Sequence, residues 1–436
     1  MRTGRTGGAA ATAGALAAAL LAAGAVFASS APPAAAEDDP YEGFLALARS
    51  ILLAKERFVE TNTFDRLSQV AIDGFFAALD PYSRYLVNDE MDALERDDRG
   101  ELVGIGVTVN EEDGEIVVSW PMPGSPAFRA GVRMGDIVER IDGKRCADLG
   151  FDGAMDAFEG PEGSWVELDL LHADGVREKV RIRRSAVRVP TVQSAQVLTN
   201  GVGYLCLSQF GEGTSAEMLL ALSRLRREAA PLRGLVLDLR ENPGGLLDQA
   251  VRVAGFFLPG GTLIATTRGR VPDEDDHEYR AVGAAPFGDV PLAVLVNENS
   301  ASAAEFVSAA LRDAGRAKLV GARTFGKASV QSFFKLPERP KDAVKITTAH
   351  YYTPKGELIH GRGLEPDVAV PQTADELWRA TLRRIAATHP ELACTNSLPE
   401  ILAAPDAPLA AALSLFLGMF PGALIQIFTG IAGTVM

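Results

Sequence analysis

The chain of 436 residues is short of cysteine and histidine, with three and five, and short of positive charge, with 43 Lys+Arg against 57 Asp+Glu. Each shortage excludes something. Cys146, Cys206 and Cys394 lie far apart, and nothing resembles CxxC or a Cys/His cluster, so the spacing offers no metal site. No more than one disulfide can form and nothing requires it. Cys206, inside the apolar run "GYLCLSQF", reads as a small core residue. The scattered histidines make no metal pair. The net charge of -14 argues against nucleic acid or an anionic membrane as the main partner. What is plentiful is ordinary: an apolar fraction of 47% and a charged fraction of 23% describe a globular protein, and the length suggests two or three domains.

Two long uncharged stretches lie at the ends. Arg2 and Arg5 precede an Ala/Leu-rich run from Gly7 to Ala36, ending in three alanines before the acidic "EDDP". That is the pattern of a secretory signal peptide, residues 1–36, and predicts export to the periplasm or cell envelope; an uncleaved anchor is the competing reading. No cysteine near the junction offers a lipoprotein anchor. At the other end no charge follows Asp406. Residues 407–436 are long enough to span a bilayer, although Pro421 and several glycines interrupt them. A membrane contact, a segment folded back on the domain and an assembly surface all remain open for this tail.

Between the ends the pattern changes twice. Residues 38–100 read as helical, with Phe44, Leu47, Ala48, Ile51 and Leu52 on one stripe and Leu67, Val70, Ala71 and Phe75 on another, and with a Pro turn at "LDPYSRYL", 79–86, breaking the pattern. Residues 101–186 hold short alternating runs ("GVTVN", "EIVVSW", "DIVERID", "WVELDLL", "KVRIRR") separated by Gly/Asp turns, with one helical segment, "FDGAMDAFEG": a small β-rich module. From 187 to about 372 strand alternates with helix, and strands such as "GLVLDLR" and "LAVLVN" carry few polar residues, as when both sheet faces are covered. This predicts an α/β layer fold. Residues 373–436 form a helical and hydrophobic tail.

Three stretches could carry chemistry. In "LVNENSASAAEFVSAAL" a buried strand gives way to a loop of small residues and an apolar helix, with Ser300 and Ser302 at the junction. Either serine could cap the helix. Either could be a nucleophile at a helix N-terminus, where free N–H groups and the helix dipole stabilise an oxyanion. Glu305 fits both readings. A serine needs a base. No histidine stands in a comparable loop, but Lys327 sits alone among small and apolar residues in "GARTFGKASVQSF". A lysine is a base only when neutral, and desolvation lowers its pKa from about 10.4 toward working pH. If 327–331 is strand, Lys327, Ser329 and Gln331 share one face, and the Gln331 amide oxygen can orient the amine. A lone lysine is more often a solvated surface residue. The third stretch, "LVLDLRENPGGLLDQA", runs from a strand through Asn-Pro-Gly-Gly into a helix. Gly244 and Gly245 allow close backbone approach, and one N–H could be a second oxyanion donor. No Gly-Lys-Ser/Thr follows, so this is not a phosphate loop.

Together with "AIDGFFAALDPYSRYL", "SPAFRAGVRMGDIVERIDG" and "ITTAHYYTPKGELIHGRGLEPDV", these stretches resemble the carboxyl-terminal processing, or tail-specific, proteases, which are exported Ser–Lys serine peptidases with a PDZ domain. The matching stretches keep the family's order over residues 71–368. The resemblance implies a multi-domain α/β protein: a crotonase/ClpP-like catalytic core, an inserted PDZ domain and an N-terminal helical region. It places the nucleophile at Ser302 rather than Ser300, the base at Lys327 and an orienting glutamine at Gln331. It places the oxyanion donors on the N–H groups of Ala303 and Gly245, with Gly244 as the alternative to the latter. Ala304 stands where many relatives have serine, a change that removes no catalytic role. The β-rich module resembles a circularly permuted PDZ domain whose carboxylate-binding loop is "GIGV": Gly104, Ile105, Gly106 and Val107. It would read an extended peptide with an apolar C-terminus by strand addition, and it also gates the active site in some relatives. No metal, nucleotide or other cofactor is implied; a homo-oligomer and an adaptor protein are left open. The rival readings are a catalytically silent PDZ scaffold on a protease fold and an esterase. The filled catalytic positions weigh against the first and the peptide-reading module against the second. The terminal "GTVM", with Thr434 and Met436, also fits a PDZ ligand pattern, so the chain's own tail is a candidate occupant of that groove.

Overall fold

The computed structural model describes residues 40–388 and 405–417. The expected leader at 1–36, Cys394, and the end of the apolar tail with Thr434 and Met436 lie outside the described residues.

The chain divides into two units, with the boundary between Phe75 and Phe76. The first holds helix α1 (Pro40–Arg57) and most of α2 (Phe64–Ala77). Both follow the predicted periodicity, yet Phe44, Leu47 and Val70 remain exposed.

In the second unit, the Pro81 turn leads into a short strand, β1 (Arg84–Leu86), and then α3 (Asn88–Asp98). The break in the helical pattern at 79–86 is this turn together with β1. Tyr85 and Leu86 are buried there, a burial that needs a partner strand and leaves no helical period to read. The β-rich module follows. Strand β2 (Glu101–Gly104) is succeeded by β3 (Val107–Glu112), β4 (Glu115–Pro121), β5 (Ile137–Ile141), the two-residue β6 (Lys144–Arg145), helix α4 (Cys146–Phe158), β7 (Trp165–Leu171), β8 (Arg177–Arg183) and β9 (Ser185–Arg188). The sheet order is β3-β4-β5-β7-β8, with β6 on β5, and β2 pairs β9. Alternation decides which face is inside: Val166, Leu168 and Leu170 of β7 point into the module's core with Ile105, Val107 and Val109. Because β3 is a terminal strand of this sheet, one of its edges is unpaired.

The α/β layer is built from β10 (Val192–Val197), β11 (Val202–Leu207), α5 (Thr214–Ala229), β12 (Gly234–Asp238) and α6 (Leu247–Gly255), and continues after two strands of another sheet. Those are β13 (Leu263–Gly269) and β14 (Glu278–Arg280). Then come β15 (Leu292–Val296), α7 (Ala303–Asp313), β16 (Ala317–Gly321), β17 (Ser329–Leu336), β18 (Arg339–Tyr352), β19 (Val368–Ala369), α8 (Ala374–Thr388) and α9 (Ala407–Leu417). The main sheet runs β10-β11-β12-β15-β16-β19, parallel except where β10 meets β11. One face, with Leu205, Leu207, Leu235 and Leu237, is covered by α5, α6 and α7. The other, with Tyr204, Cys206, Val236 and Leu295, receives Ala412 and Phe416 of α9. Both faces are dry, which is why these strands read as uninterrupted apolar runs. The start of the apolar tail is thus folded back on the sheet, and among the described residues no helix is long and apolar enough to cross a membrane. Asp406 fixes that return: it takes a bidentate ion pair from buried Arg240, at 2.9 and 3.0 Å.

The second sheet was not foreseen. It pairs β1, β17 and β13 with the long strand β18, and β14 with β13, all antiparallel. Its register sets where Lys327 lies, because β17 begins two residues after it.

Candidate active site

Strand β15 ends at Val296, and the loop Asn297–Ala301 carries the chain to α7. Ser300 and Ser302 separate here. Ser300 is fully buried; its hydroxyl donates to Leu239 O at 2.7 Å and accepts from Asn297 N at 2.9 Å. It is consumed as a loop brace. Ser302 is half-buried and occupies the position just before α7, with φ +54° and ψ −116°. A non-glycine residue in that region is strained, and such strain is characteristic of residues held for function. The loop is over-determined. Ala301 N donates to Asn242 O at 2.9 Å, while Asn297 and Asn299 both donate to the Glu241 carboxylate.

The Gly-Gly turn packs directly against this serine. Gly244 has φ +105°, and a Cβ placed there would lie 2.7 Å from Ser302 Cβ. Its N–H is already engaged, donating to Asn242 Oδ1 at 2.9 Å. Gly245, at φ +131°, has no acceptor for its N–H among the described residues, and neither has Ala303 at the start of α7. Two unpaired N–H groups therefore flank Ser302, one from a helix N-terminus.

Lys327 is not in a strand. It lies in the extended loop between β16 and β17, whose first residue is Ser329, and a register shift between Val330 and Gln331 breaks the simple alternation. The expected shared face of 327, 329 and 331 is thus replaced by loop geometry. Gln331 Nε2 donates to Ser329 Oγ at 2.9 Å and to Thr347 Oγ1 at 3.1 Å, not to anything on Lys327. The Lys327 amine has no hydrogen-bond or ion-pair partner among the described residues. It sits over the ring of Tyr82, 4.8 Å from the centroid. Burial lowers its pKa, Lys345 lowers it further, and Glu305 opposes both. No hydrogen bond joins Ser302 Oγ to Lys327 Nζ, although both residues hang from the same carboxylate: Ser302 N and Lys327 N donate to Glu305 Oε2 at 3.0 and 2.8 Å.

Three contributors escaped the sequence reading. Tyr82 is presented by "LDPYSRYL", where Asp80 accepts from the N–H groups of Tyr82 and Ser83 at 2.6 and 2.7 Å, and Thr347 N donates to Ser83 Oγ at 3.0 Å. The turn was visible as a Pro break, but not what it covers. Glu305 was visible only as a helix first-turn residue. Tyr351 lies in the unforeseen β18, and its hydroxyl is 3.0 Å from Ser302 O and 2.9 Å from Lys327 O.

In the β-rich module, Gly104 is already paired with Ser185 and bridged to Glu159. Ile105 and Val107 turn their side chains into the module's core. What the loop offers a ligand is backbone: among the described residues the Gly106 N–H has no acceptor. Gly106 holds φ +71°, and a Cβ placed there would collide with the Ser125 Cβ. A cleft of about 1500 Å³ separates this module from the α/β layer, lined by Thr108, Asn110, Trp120, Gln209, Glu241 and Trp378 among others. Ser302, Lys327 and Gln331 do not line it. Among the described residues no cluster of His, Cys, Asp and Glu could hold a metal ion.

Comparison with known proteins identifies the family. The model of peptidase family S41 matches residues 201–370 and that of a PDZ domain matches residues 117–171. The carboxy-terminal-processing protease of Bartonella bacilliformis is 36% identical over 329 residues, covering 74% of each chain. A Staphylococcus aureus relative named a probable CtpA-like serine protease is 35% identical over 316 residues, which is 72% of this chain but 62% of that one. Among solved structures, an S41 protease of Bacteroides fragilis superposes with a TM-score of 0.53 at 18% identity, over 90% of this chain and 93% of the other. That likeness concerns the fold. The photosystem II D1 C-terminal processing protease is 27% identical over 75% of this chain and 92% of its own, with a TM-score of 0.46.

Proposed function

Because the chain belongs to peptidase family S41, among its carboxy-terminal-processing serine proteases, we propose that it is an exported endopeptidase that cuts proteins near an apolar C-terminus through a Ser302–Lys327 dyad. The observation that carries this reading is one carboxylate tethering two residues. One is a strained serine flanked by unpaired N–H groups, and the other a lysine whose amine has no anionic partner in contact.

Neutral Lys327 takes the Ser302 hydroxyl proton as Oγ attacks the scissile carbonyl. The N–H groups of Ala303 and Gly245 receive the developing oxyanion. Collapse breaks the C–N bond, and the Lys327 ammonium returns its proton to the leaving amine. Lys327 then deprotonates water, which attacks the acyl-enzyme and frees Ser302. Gln331 Oε1, without a donor among the described residues, is available to orient the amine once substrate seats. The missing Oγ–Nζ bond fits a resting enzyme, since catalytic hydrogen bonds commonly tighten only with substrate bound.

Peptide capture is assigned to the module at 101–186 and chemistry to 187–372. Backbone N–H groups of the Gly104–Val107 loop, Gly106 first among them, hold the substrate's terminal carboxylate, and the open edge of β3 pairs with its tail. Export rests on the pattern of Arg2, Arg5 and the run Gly7–Ala36. The test is cleavage of an unstructured protein by wild type, Ser302→Ala and Lys327→Ala: both variants are expected to be inactive, and turnover by either would contradict the dyad.

A further inference from the structure

Glu305 is fully buried in the first turn of α7, yet no cation pairs with it among the described residues. Its charge is met by donors alone. Ser302 N and Lys327 N bond Oε2, while Gly326 N, at 2.8 Å, and the Thr324 hydroxyl bond Oε1. Thr324 Oγ1 is itself held by Leu364 N at 2.7 Å, which leaves its proton for the carboxylate. All four partners are donors, the set that an ionised carboxylate satisfies and a carboxamide cannot. Burying a carboxylate without a counter-ion is expensive. A cap alone would need only the bond to Ser302; the other three reach a loop some twenty residues away in sequence.

Tyr351 completes the arrangement from the opposite side. Its hydroxyl lies between the carbonyl oxygens of the same two residues, one phenolic proton shared by two acceptors. Its ring is buried and wedged edge-on against Phe306, centroids 5.7 Å apart, so the hydroxyl has little freedom. Ser302 and Lys327 sit on separate elements with no bond between their side chains. Their N–H groups share a carboxylate and their C=O groups share a phenol.

We propose that Glu305 and Tyr351 are positioning residues that hold Ser302 and Lys327 in register for proton transfer. This rests on reading those two as nucleophile and base. Neither positioning group touches substrate. Glu305 has a second effect through its charge, which favours protonated Lys327 and limits how far burial and Lys345 depress the amine. The other titratable groups around Lys327 are Tyr82 over the amine, Tyr351 on its carbonyl, Asp80 in the Tyr82 turn, and His350 and His360 on the neighbouring Ala328. None of them is altered by substitution at 305.

The experiment compares wild type, Ser302→Ala, Glu305→Gln and Tyr351→Phe on one unstructured protein substrate, with thermal melts recorded for each. Tyr351→Phe keeps the ring and is expected to melt within a few degrees of wild type. Its kcat should fall roughly 10- to 100-fold with KM nearly unchanged, the mark of misplaced reacting groups. Glu305→Gln should lose more, and the acid limb of its kcat/KM profile should move to lower pH because the charge that favoured the ammonium is gone. If Glu305→Gln does not fold, Tyr351→Phe alone decides. A folded Tyr351→Phe with wild-type kcat, or a folded Glu305→Gln with an unmoved acid limb, overturns the proposal. Activity in Ser302→Ala instead removes the dyad reading on which it rests.

Discussion

Lys327, in the role of base proposed for it, is a residue whose function works against stability. Its amine is half-buried, touches no acid and faces the ring of Tyr82, so folding disfavours its charged form. The folded-state pKa lies below the unfolded one. Above both values the group contributes nothing. As pH falls between them, the unfolded chain takes up a proton that the folded chain refuses, and stability drops; below the folded value the penalty is complete. Lys327→Met is therefore expected to raise the melting temperature at neutral pH while abolishing cleavage, measured by paired melts at pH 7 and at high pH, where the gain should shrink. Residue-level legibility was uneven. Both serines of "SAS" suit a helix start, and the choice between them depends on Leu239, whose carbonyl claims Ser300 from sixty-one positions away. Glu305 advertised a cap, and its bonds to Thr324, Gly326 and Lys327 are set by tertiary folding.

Elements bring these residues together through turns that only glycine allows. Gly244 at φ +105° lies where an added Cβ would strike Ser302, so Gly244→Ala should push the turn away from that serine. The expectation is roughly a 100-fold loss of kcat and about 1–3 kcal/mol of stability, read by kinetics and denaturant unfolding. Gly106→Ala is its counterpart in the PDZ module, strained at φ +71° and crowded by Ser125. It should raise KM for tail-bearing proteins and leave turnover of short peptides lacking a free C-terminus unchanged, as compared in parallel assays. The parallel strands were legible because burial on both faces writes continuous apolar runs. The second sheet was not: β17 and β18 mix Phe333, Phe334, Lys335, Lys341 and Asp342 with small residues, and their pairing is stated only by partners far along the chain. That is why Lys327 read as strand when it lies in the loop before one.

At the scale of the molecule, the end of a central strand of the main sheet is tied to the start of the returning tail. Arg240, five residues before Gly245, is buried between Asp238 and Asp406, and Asp406 begins the return of α9 onto the sheet. Asp406→Ala should cost on the order of 3–5 kcal/mol, because it strands part of a buried guanidinium, and should release α9; hydrogen exchange across 407–417 checks it. The central claim is narrower: Ser302 performs proteolysis on substrates read by their C-termini. It is tested by mass spectrometry of an unstructured protein with an apolar C-terminus, free or amidated, incubated with wild type and with Ser302→Ala. Fragments from wild type alone, sharply reduced on the amidated substrate, are the predicted result. Fragments from Ser302→Ala, or undiminished cutting of the amidated protein, would contradict it.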